Sequence, residues 1–329
     1  MYKKIISTIT SLFILIFNIL CNINIKSYTP EEQIEILDNL GQKLTSEKYQ
    51  ILFKNVNTTQ SVYIIGDLHG DLYSFEAIQK IIGENISKDL FVFLGDYIDH
   101  GENSVKVFMK LAELKIEFPD NIILLAGNHE RLHDQIYHES YEHTLKSQLE
   151  ENQELYKKYC NIFKLLPLGV VLKLHDDKKI FCVHGGLPMT NYGTSRTQFV
   201  EYIEYIYNPS KSEPEFPSDF EMQLLWNDPE IPGVKEHITT YVHKKEIADK
   251  YMTKLGWSYI FRGHQYVKEG FRQDFEGINE FTVFSSCNFI KKEASDHKAA
   301  IVKIIPGSHE YEVVKFNNKP ATDKKVENI

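Results

Sequence analysis

The sequence predicts an α/β (α+β) domain, in which short buried strands alternate with amphipathic helices. Three mainly apolar segments, residues 62–65, 90–94 and 121–125, are each followed within two residues by a turn of glycine and polar residues. Between them, residues 72–82 and 104–117 carry apolar side chains at the three- and four-residue spacing of a helix. This order is the pattern of parallel sheets, in which ligands bind beyond the carboxyl ends of the strands.

The remaining elements are predicted from the same periodicities. A helix is expected over residues 30–54, because Leu37, Leu40 and Leu44 follow one another at helical spacing. Residues 132–163 are rich in polar side chains and predict one or two exposed helices. Further strands are expected over residues 170–174, 180–183, 259–261, 281–286 and 300–305.

These elements divide the chain into four predicted parts. Residues 1–27 form a signal peptide or signal anchor, and residues 28–60 an N-terminal helical segment. Residues 61–316 form one large domain, because no composition shift divides them, and residues 317–329 a polar tail.

The N-terminal segment predicts the location of the protein, and the net charge limits the kind of partner it binds. Lys3 and Lys4 precede an apolar run over residues 5–21, which is typical of a secretory signal. A secreted or extracytoplasmic protein is therefore expected, with membrane contact only through residues 5–21 if they are not cleaved. The net charge of −9 argues against a nucleic-acid partner, since binding to the phosphate backbone requires a basic surface.

Six polar residues that follow strands form a candidate metal site. They offer carboxylate and amide oxygens and imidazole nitrogens, but no thiolate: Asp67, His69, Asp96, Asn128, His184 and His264. Such donors suit Mn, Fe or Zn better than a structural zinc held by cysteines. Six ligands are too many for one catalytic ion with open positions, and enough for two ions if one carboxylate bridges. A pair of ions about 3.5–4 Å apart activates water and holds a phosphoryl group during in-line attack.

His129 and Asp99 are the remaining candidates for catalysis. A leaving alkoxide must be protonated, and a histidine oriented by a carboxylate supplies that proton. The pair is therefore predicted to act as the general acid.

Six short motifs occur over about residues 60–315: GDLHG (66–70), GDYID (95–99), GNHE (127–130), VHGG (183–186), LLWNDP (224–229) and RGHQ (262–265). In sequence and in order they resemble the motifs of the phosphoprotein phosphatase family of serine/threonine phosphatases, which are calcineurin-like metallophosphoesterases. The resemblance implies a central β-sandwich flanked by helices, with a dinuclear metal site at the strand ends.

The resemblance also implies a role for each matched residue. Asp67 and His69 would bind the first metal, and Asp96 would bridge the two. The second metal would be bound by Asn128, His184 and His264, and the acid pair would be His129 with Asp99.

The chain departs from the family pattern where substrate phosphate is bound. His100 stands where the family has an arginine, and a second expected arginine is missing, since residues 230–261 contain none. Phe289 replaces a tyrosine near the last strands. A histidine does not reproduce the planar fork of arginine, so phosphate binding in this chain must differ from the family pattern. The residues predicted to bind substrate are His100, Asn128 and Arg131.

These observations predict a metal-dependent phosphomonoesterase acting on phosphoserine or phosphothreonine in proteins, with phosphotyrosine left open. A metal-bridging hydroxide would attack, and His129 would act as general acid. Two alternatives remain: a nucleotide-polyphosphate hydrolase on a similar two-metal core, and a binding module that retains the fold with weak turnover. Glu130 favours the protein phosphatase, because many of those hydrolases have aspartate at that place.

Overall fold

The computed structural model describes residues 27–47, 49–132, 144–149, 152–175, 177–189, 196–209, 214–216, 218–233, 242–289, 297–308 and 310–317. Within these ranges the helices are α1 (Pro30–Thr45), α2 (Leu72–Asn85), α3 (Ser104–Glu117), α4 (Asn128–Leu132), α5 (Thr144–Gln148), α6 (Gln153–Phe163), α7 (Arg196–Tyr207), α8 (Ser218–Trp226) and α9 (Lys245–Leu255). The strands are β1 (Ile51–Asn55), β2 (Val62–Ile65), β3 (Leu90–Phe93), β4 (Ile122–Leu124), β5 (Gly169–Lys173), β6 (Lys179–Val183), β7 (Asp228–Pro229), β8 (Val242–His243), β9 (Trp257–Arg262), β10 (Phe271–Phe275), β11 (Ile278–Val283), β12 (Lys298–Ile304) and β13 (Tyr311–Asn317).

Two sheets form the centre of the molecule. One has six strands in the order β1-β5-β6-β9-β11-β10, and the other has five in the order β13-β12-β2-β3-β4. Val62 and Ile64 of β2 belong to a buried cluster that also contains Val170 and Cys182 of the opposite sheet. Tyr63, the residue between them, belongs to the cluster that the helices complete. This alternation has the period of two expected of strands buried on both faces, and it confirms the predicted β-sandwich flanked by helices.

Parallel pairing brings the carboxyl ends of both sheets to one edge of the sandwich. Strands β2, β3 and β4 run parallel to one another in the five-stranded sheet, as do β6, β9 and β11 in the six-stranded sheet. An isolated bridge between Asp67 and Phe284 joins the extensions of β2 and β11. The loops that leave both sheets at this edge therefore meet.

The structure corrects the predicted first helix. Helix α1 begins with Pro30 after the capping residue Thr29, whose side chain accepts the amide of Glu32, but it ends at Thr45 rather than continuing to residue 54. Ile51–Asn55 is instead the edge strand β1, which pairs with β5 in parallel. The reason lies in the sequence itself, since Leu44 is the last residue of the helical apolar spacing and consecutive apolar residues begin at Ile51.

The N-terminal predictions fall largely outside the described residues. Residues 1–26 are not described, which includes the apolar run at 5–21, and residues 318–329 of the predicted tail are not described either. In the described part of the chain, every helix is too short or too polar to cross a membrane. The division at residues 60 and 61 stays a prediction, although β1 is a strand of the same sheet as β5 and β6.

Candidate metal centre and active site

The predicted site residues lie just beyond the carboxyl ends of five strands. Asp67 and His69 follow β2, Asp96, Asp99 and His100 follow β3, Asn128 and His129 follow β4, His184 follows β6, and His264 follows β9. The amides of Leu68 and His69 both donate to the carbonyl oxygen of Asp96, at 3.0 and 2.9 Å. Main-chain hydrogen bonds thus hold the first two loops together.

The backbone of these loops is strained. In the described part of the chain, six residues other than glycine have positive φ, and five of them are predicted site residues: His69, Asp96, Asp99, His100 and His264. A left-handed conformation is unfavourable for residues that carry a Cβ atom, and such strain is concentrated at functional sites. The surrounding contacts must therefore determine these conformations.

Two glycines allow the carboxylates to approach the backbone closely. A Cβ atom on Gly127 would lie 2.1 Å from Oδ1 of Asp96, and one on Gly263 would lie 2.3 Å from Oδ1 of Asp67. The same carboxylate atoms accept main-chain amides, from His129 to Asp96 and from His264 to Asp67, at 3.0 Å each. Any larger residue at 127 or 263 would displace a predicted metal ligand.

The donor atoms form two groups that share one carboxylate. In the described residues, Asp67, His69 and Asp96 have ligand atoms within 4.8 Å of one another, and so do Asp96, His184 and His264. The sixth predicted ligand, Asn128, directs its Oδ1 towards His184 Nε2 at 2.8 Å and His264 Nδ1 at 2.9 Å. A third group of His69, His100 and His129 lies beside the first.

In two histidines, hydrogen bonds place the ring proton on Nδ1 and leave Nε2 without one. His69 Nδ1 lies 3.0 Å from the carbonyl oxygen of Ile98, and His184 Nδ1 lies 3.0 Å from that of Leu94. Since a carbonyl oxygen only accepts, each Nδ1 is assigned as the donor. The Nε2 lone pairs then point at oxygens that also carry lone pairs, and for His184 these are Asp96 Oδ2 at 3.4 Å and Asn128 Oδ1. Lone pairs converging in this way suit a cation.

A buried carboxylate oxygen supports the same conclusion. Oδ2 of Asp67 is buried and has no hydrogen-bond partner in the described structure. Nε2 of His69 lies 3.9 Å from it, which is too long for a hydrogen bond. An unpaired buried carboxylate oxygen is unfavourable unless a cation compensates it, so these residues fit the divalent ions that the donor chemistry implies.

Burial and neighbouring charges shift the pKa values in this centre. Burial raises the pKa of Asp67 to about 7 and lowers that of His69 to about 3. Burial also opposes ionisation of Asp96, but His184 and His129 outweigh it and hold the pKa of Asp96 well below its usual value. A neutral His69 and an ionised Asp96 are the forms that bind a metal, whereas the raised pKa values of Asp67 and His184 favour protonated forms that a bound ion would displace.

His129 and Asp99 form the predicted pair. His129 Nδ1 lies 3.1 Å from Asp99 Oδ2, and both side chains are buried. The other oxygen of Asp99 accepts the amide of Leu145 at 3.2 Å, and its own amide donates to Ser104 Oγ at 2.9 Å. Burial opposes the charged form of His129, but Asp96 and the hydrogen bond with Asp99 outweigh it and raise its pKa to about 9. The imidazole thus has a fixed orientation beside the donor groups.

Glu130 has a positioning role that the sequence did not reveal. Its buried carboxylate accepts the amides of Asp96, Tyr97 and Gly127, at 2.9, 2.9 and 2.8 Å. It therefore joins the loops after β3 and β4. The sequence carried a signal, since Glu130 closes the GNHE motif, but that signal gave no information about the partners of the side chain.

The predicted substrate-binding residues are only partly brought together. His100 is partly exposed, and its ring centroid lies 5.0 Å from that of His129. Arg131 instead directs its guanidinium at the carbonyl oxygen of Leu166 and the carboxylate of Glu221, both at 3.0 Å. These contacts do not support a phosphate-binding role for Arg131, and that role stays a prediction.

A fully buried arginine supports the loops that carry His184 and His264. Nε of Arg262 donates to the carbonyl oxygen of Gly185 at 2.6 Å, and Nη2 lies 3.0 Å from Oδ1 of Asp228. Nη1 donates to Gln265 and Thr282, at 3.2 and 3.1 Å. The sequence matched Arg262 to a family motif without assigning it a function, and the structure shows that it joins β9 to the loop after β6.

Replacing Arg262 with methionine is expected to destabilise the protein by about 3 kcal/mol or more, because it leaves Asp228 buried without its charged partner. The measurement is the free energy of unfolding in urea. The matched control is Lys298→Met, which removes an exposed pair with Glu269 and should change that free energy by less than about 1 kcal/mol. Equal effects of the two substitutions would contradict a supporting role for Arg262.

Comparisons with known proteins identify phosphatases as relatives of this chain. A family model described as calcineurin-like phosphoesterase matches residues 61–268. The serine/threonine-protein phosphatase 4 catalytic subunit of Saccharomyces cerevisiae is 30% identical over 271 residues, covering 80% of this chain and 81% of that protein. Its counterpart from Kluyveromyces lactis is 28% identical over 281 residues, covering 84% and 83%. Similarity to protein phosphatases does not favour the two alternative functions.

Two solved structures share the fold. A serine/threonine phosphatase from Saccharomyces cerevisiae covers 91% of this chain and 93% of its own, with a TM-score of 0.70 and 22% identity. A cold-active protein-tyrosine phosphatase of a Shewanella species covers 81% and 80%, with a TM-score of 0.52 and 16% identity. At these identities the likeness establishes the fold alone.

The predicted location is wrong. A secreted or extracytoplasmic protein was expected from residues 1–27, but the relatives that match 80–91% of the chain are catalytic subunits of phosphatase 4, which are intracellular enzymes. Membrane contact through residues 5–21 has no support from these relatives either. A short apolar run after two lysines was too weak a signal to outweigh similarity over most of the chain.

Proposed function

The chain belongs to the calcineurin-like phosphoesterase family, and we propose that it is a metal-dependent phosphomonoesterase that hydrolyses phosphoserine and phosphothreonine in proteins. One observation carries this proposal: two groups of buried donor atoms share Asp96 and lie beside the His129–Asp99 pair. The names of the curated relatives support a phosphoprotein as the substrate.

Two divalent ions are proposed as cofactors, with manganese, iron or zinc as the candidates. Asp67 and His69 would bind the first ion, Asp96 would bind both, and the second would be bound by Asn128, His184 and His264. When bound, such ions supply Lewis acidity that lowers the pKa of water and neutralises charge on the phosphoryl oxygens. The lone-pair arrangement at His69 and His184, and the unpaired Oδ2 of Asp67, support this assignment.

His129 is proposed as the general acid. With Nδ1 held by Asp99 at 3.1 Å, its Nε2–H is available to the oxygen of the leaving serine or threonine. As the bond between phosphorus and that oxygen breaks, the proton passes from Nε2 to the oxygen, and an alcohol leaves instead of an alkoxide. Asp99 keeps the ring oriented and stabilises its charged form.

The test of this function is a panel of substrates with the protein reconstituted separately with manganese, iron and zinc. Phosphoserine and phosphothreonine peptides are expected to release phosphate, whereas a dinucleoside polyphosphate is expected to remain intact. Asp96→Asn protein purified in the same way measures contaminating phosphatase. Cleavage of the dinucleotide alone would overturn the proposal, and so would release of phosphate from the peptides at the rate of the Asp96→Asn control.

A further inference from the structure

Three rings lead from the metal centre to the surface. The ring centroid of Phe289 lies 5.0 Å from that of His69 and 5.0 Å from that of His100. The ring of Tyr266 is stacked on that of Phe289, with a centroid distance of 5.9 Å and an interplanar angle of 19°. His69 is buried, but Phe289, His100 and Tyr266 are each partly exposed. We call these three partly exposed residues the aromatic rim.

The aromatic rim replaces polar groups of the family pattern. His100 stands where that pattern has an arginine, and Phe289 stands where it has a tyrosine. The chain has thus lost a guanidinium and a hydroxyl, and it has gained the imidazole ring of His100, which contacts the ring of Phe289 at a centroid distance of 5.0 Å. These changes reduce polar binding beside the metal centre and leave His100 and Phe289 as two adjoining, partly exposed rings.

The segment before Phe289 is fixed by Asp71, at the beginning of α2. The Asp71 carboxylate accepts hydrogen bonds from Ser286 Oγ at 3.1 Å, from the amides of Cys287 and Asn288 at 3.1 and 3.0 Å, and from Asn288 Nδ2 at 2.9 Å. Phe284 also packs against Phe289, with a centroid distance of 5.2 Å. A ring held in this way loses little conformational entropy when it binds a ligand.

Rings and phosphate together select one kind of substrate. The side chain of phosphotyrosine has an aromatic ring next to its phosphate, whereas phosphoserine and phosphothreonine have only aliphatic carbons there. Aromatic pairs with centroids 4.5–7 Å apart contribute about 0.5–1.5 kcal/mol beyond the burial of area. With phosphate at the donor groups, the rim is the neighbouring surface that a tyrosine ring can contact.

We propose that the aromatic rim is a specificity-determining subsite for the phenyl ring of phosphotyrosine, so that the enzyme accepts phosphotyrosine as well as phosphoserine and phosphothreonine. This rests on the proposed phosphatase function and adds a substrate class to it. Hydrolysis breaks the bond between phosphorus and the phenolic oxygen, and water supplies the new oxygen on phosphorus. The phenolate takes up a proton as it leaves, and it needs less help from His129 because it is a better leaving group.

The test measures binding and turnover separately. Calorimetry with the manganese-loaded protein compares phenylphosphonate with methylphosphonate, which presents the same charged group without a ring. Phe289→Leu keeps an apolar side chain but removes the ring, and it is expected to lower the affinity for phenylphosphonate about 2- to 10-fold. The affinity for methylphosphonate should fall less than about 2-fold in the same variant. Phe289→Tyr, which keeps a ring, should retain the preference for phenylphosphonate over methylphosphonate.

Turnover is measured as the ratio of kcat/KM for a phosphotyrosine peptide to that for a phosphothreonine peptide of the same sequence. The ratio should fall about 2- to 10-fold in Phe289→Leu, because the chemistry of each leaving group is the same in both proteins and cancels. The control is Phe53→Leu, which should not change the ratio. Phe53 is a half-buried residue of β1, and its ring centroid lies 5.3 Å from that of Tyr207. If Phe289→Leu does not fold, Tyr266→Leu is used for the same comparison.

The outcomes are distinguishable. An unchanged ratio and unchanged phenylphosphonate affinity in a folded Phe289→Leu protein would overturn the rim as a subsite. If the wild-type protein prefers phenylphosphonate in the manner described but hydrolyses no phosphopeptide, the subsite stands and the phosphatase function fails.

Discussion

Replacing His129 with asparagine is expected to slow hydrolysis of a phosphothreonine peptide by about 10²–10⁴-fold, the range that general acid catalysis contributes. Asparagine keeps a polar side chain of moderate size, but it has no proton to transfer at neutral pH. With 4-nitrophenyl phosphate the loss should be much smaller, because nitrophenolate leaves without protonation. Steady-state kinetics with both substrates provide the measurement.

Two controls make the His129 result specific. Metal content in His129→Asn should equal that of the wild type, because His129 is not among the proposed ligands. His175→Asn replaces a histidine in an exposed turn and should leave both rates unchanged. Equal losses on the peptide and on nitrophenyl phosphate would exclude proton transfer by His129 and would assign it a structural role.

Asp96→Asn is expected to lower metal affinity by more than about 100-fold and to abolish most of the activity. The loss of an outer partner of a metal ligand already lowers affinity about 10- to 100-fold, and Asp96 belongs to both donor groups. Asparagine has nearly the same shape but lacks the negative charge. Elemental analysis after dialysis against buffer at defined free metal measures the effect.

The matched control for Asp96 is Asp177→Asn. Asp177 also has positive φ, 62° against 53° for Asp96, but its side chain is 84% exposed and lies beside Lys173. Its replacement should change neither metal content nor rate. If Asp96→Asn bound the full complement of metal, Asp96 would not be shared between two ions.

The strands and the positions of the candidate site residues were predictable where the signal was local. Residues 62–65 are a continuous apolar run followed by GDLHG, and β2 occupies the predicted positions. Because β2, β3 and β4 are parallel, their polar turns lie at one edge of the sheet, as the strand-end rule requires. The candidate ligands His184 and His264 were selected in the same way, and they follow β6 and β9.

Other features depend on contacts between distant residues and were not predictable. Strand β1 exists because Ile51–Asn55 pairs with residues more than a hundred positions away in β5, and no local periodicity reports such a partner. The three amides accepted by Glu130 and the hydrogen bonds of Arg262 likewise appear only when the loops meet. Positive φ at His69 and His264 follows from those contacts, since neither residue favours that conformation on its own.

The departures from the family pattern were visible in the sequence, but their consequence was not. The absence of an arginine at position 100 indicated a changed phosphate-binding region. Only the structure shows that His100 and Phe289 contact each other and His69. A substitution that looks like the loss of a polar group is, in three dimensions, the formation of an aromatic surface.

The number of divalent ions that restore activity tests the metal-dependent mechanism. The protein is stripped with a chelator, dialysed and titrated with Mn²⁺, while phosphate release from a phosphothreonine peptide is followed. Two donor groups that share Asp96 predict no activity in the stripped protein and saturation at about two ions per chain. Full activity in the stripped protein, or saturation at one ion, would contradict the mechanism proposed here.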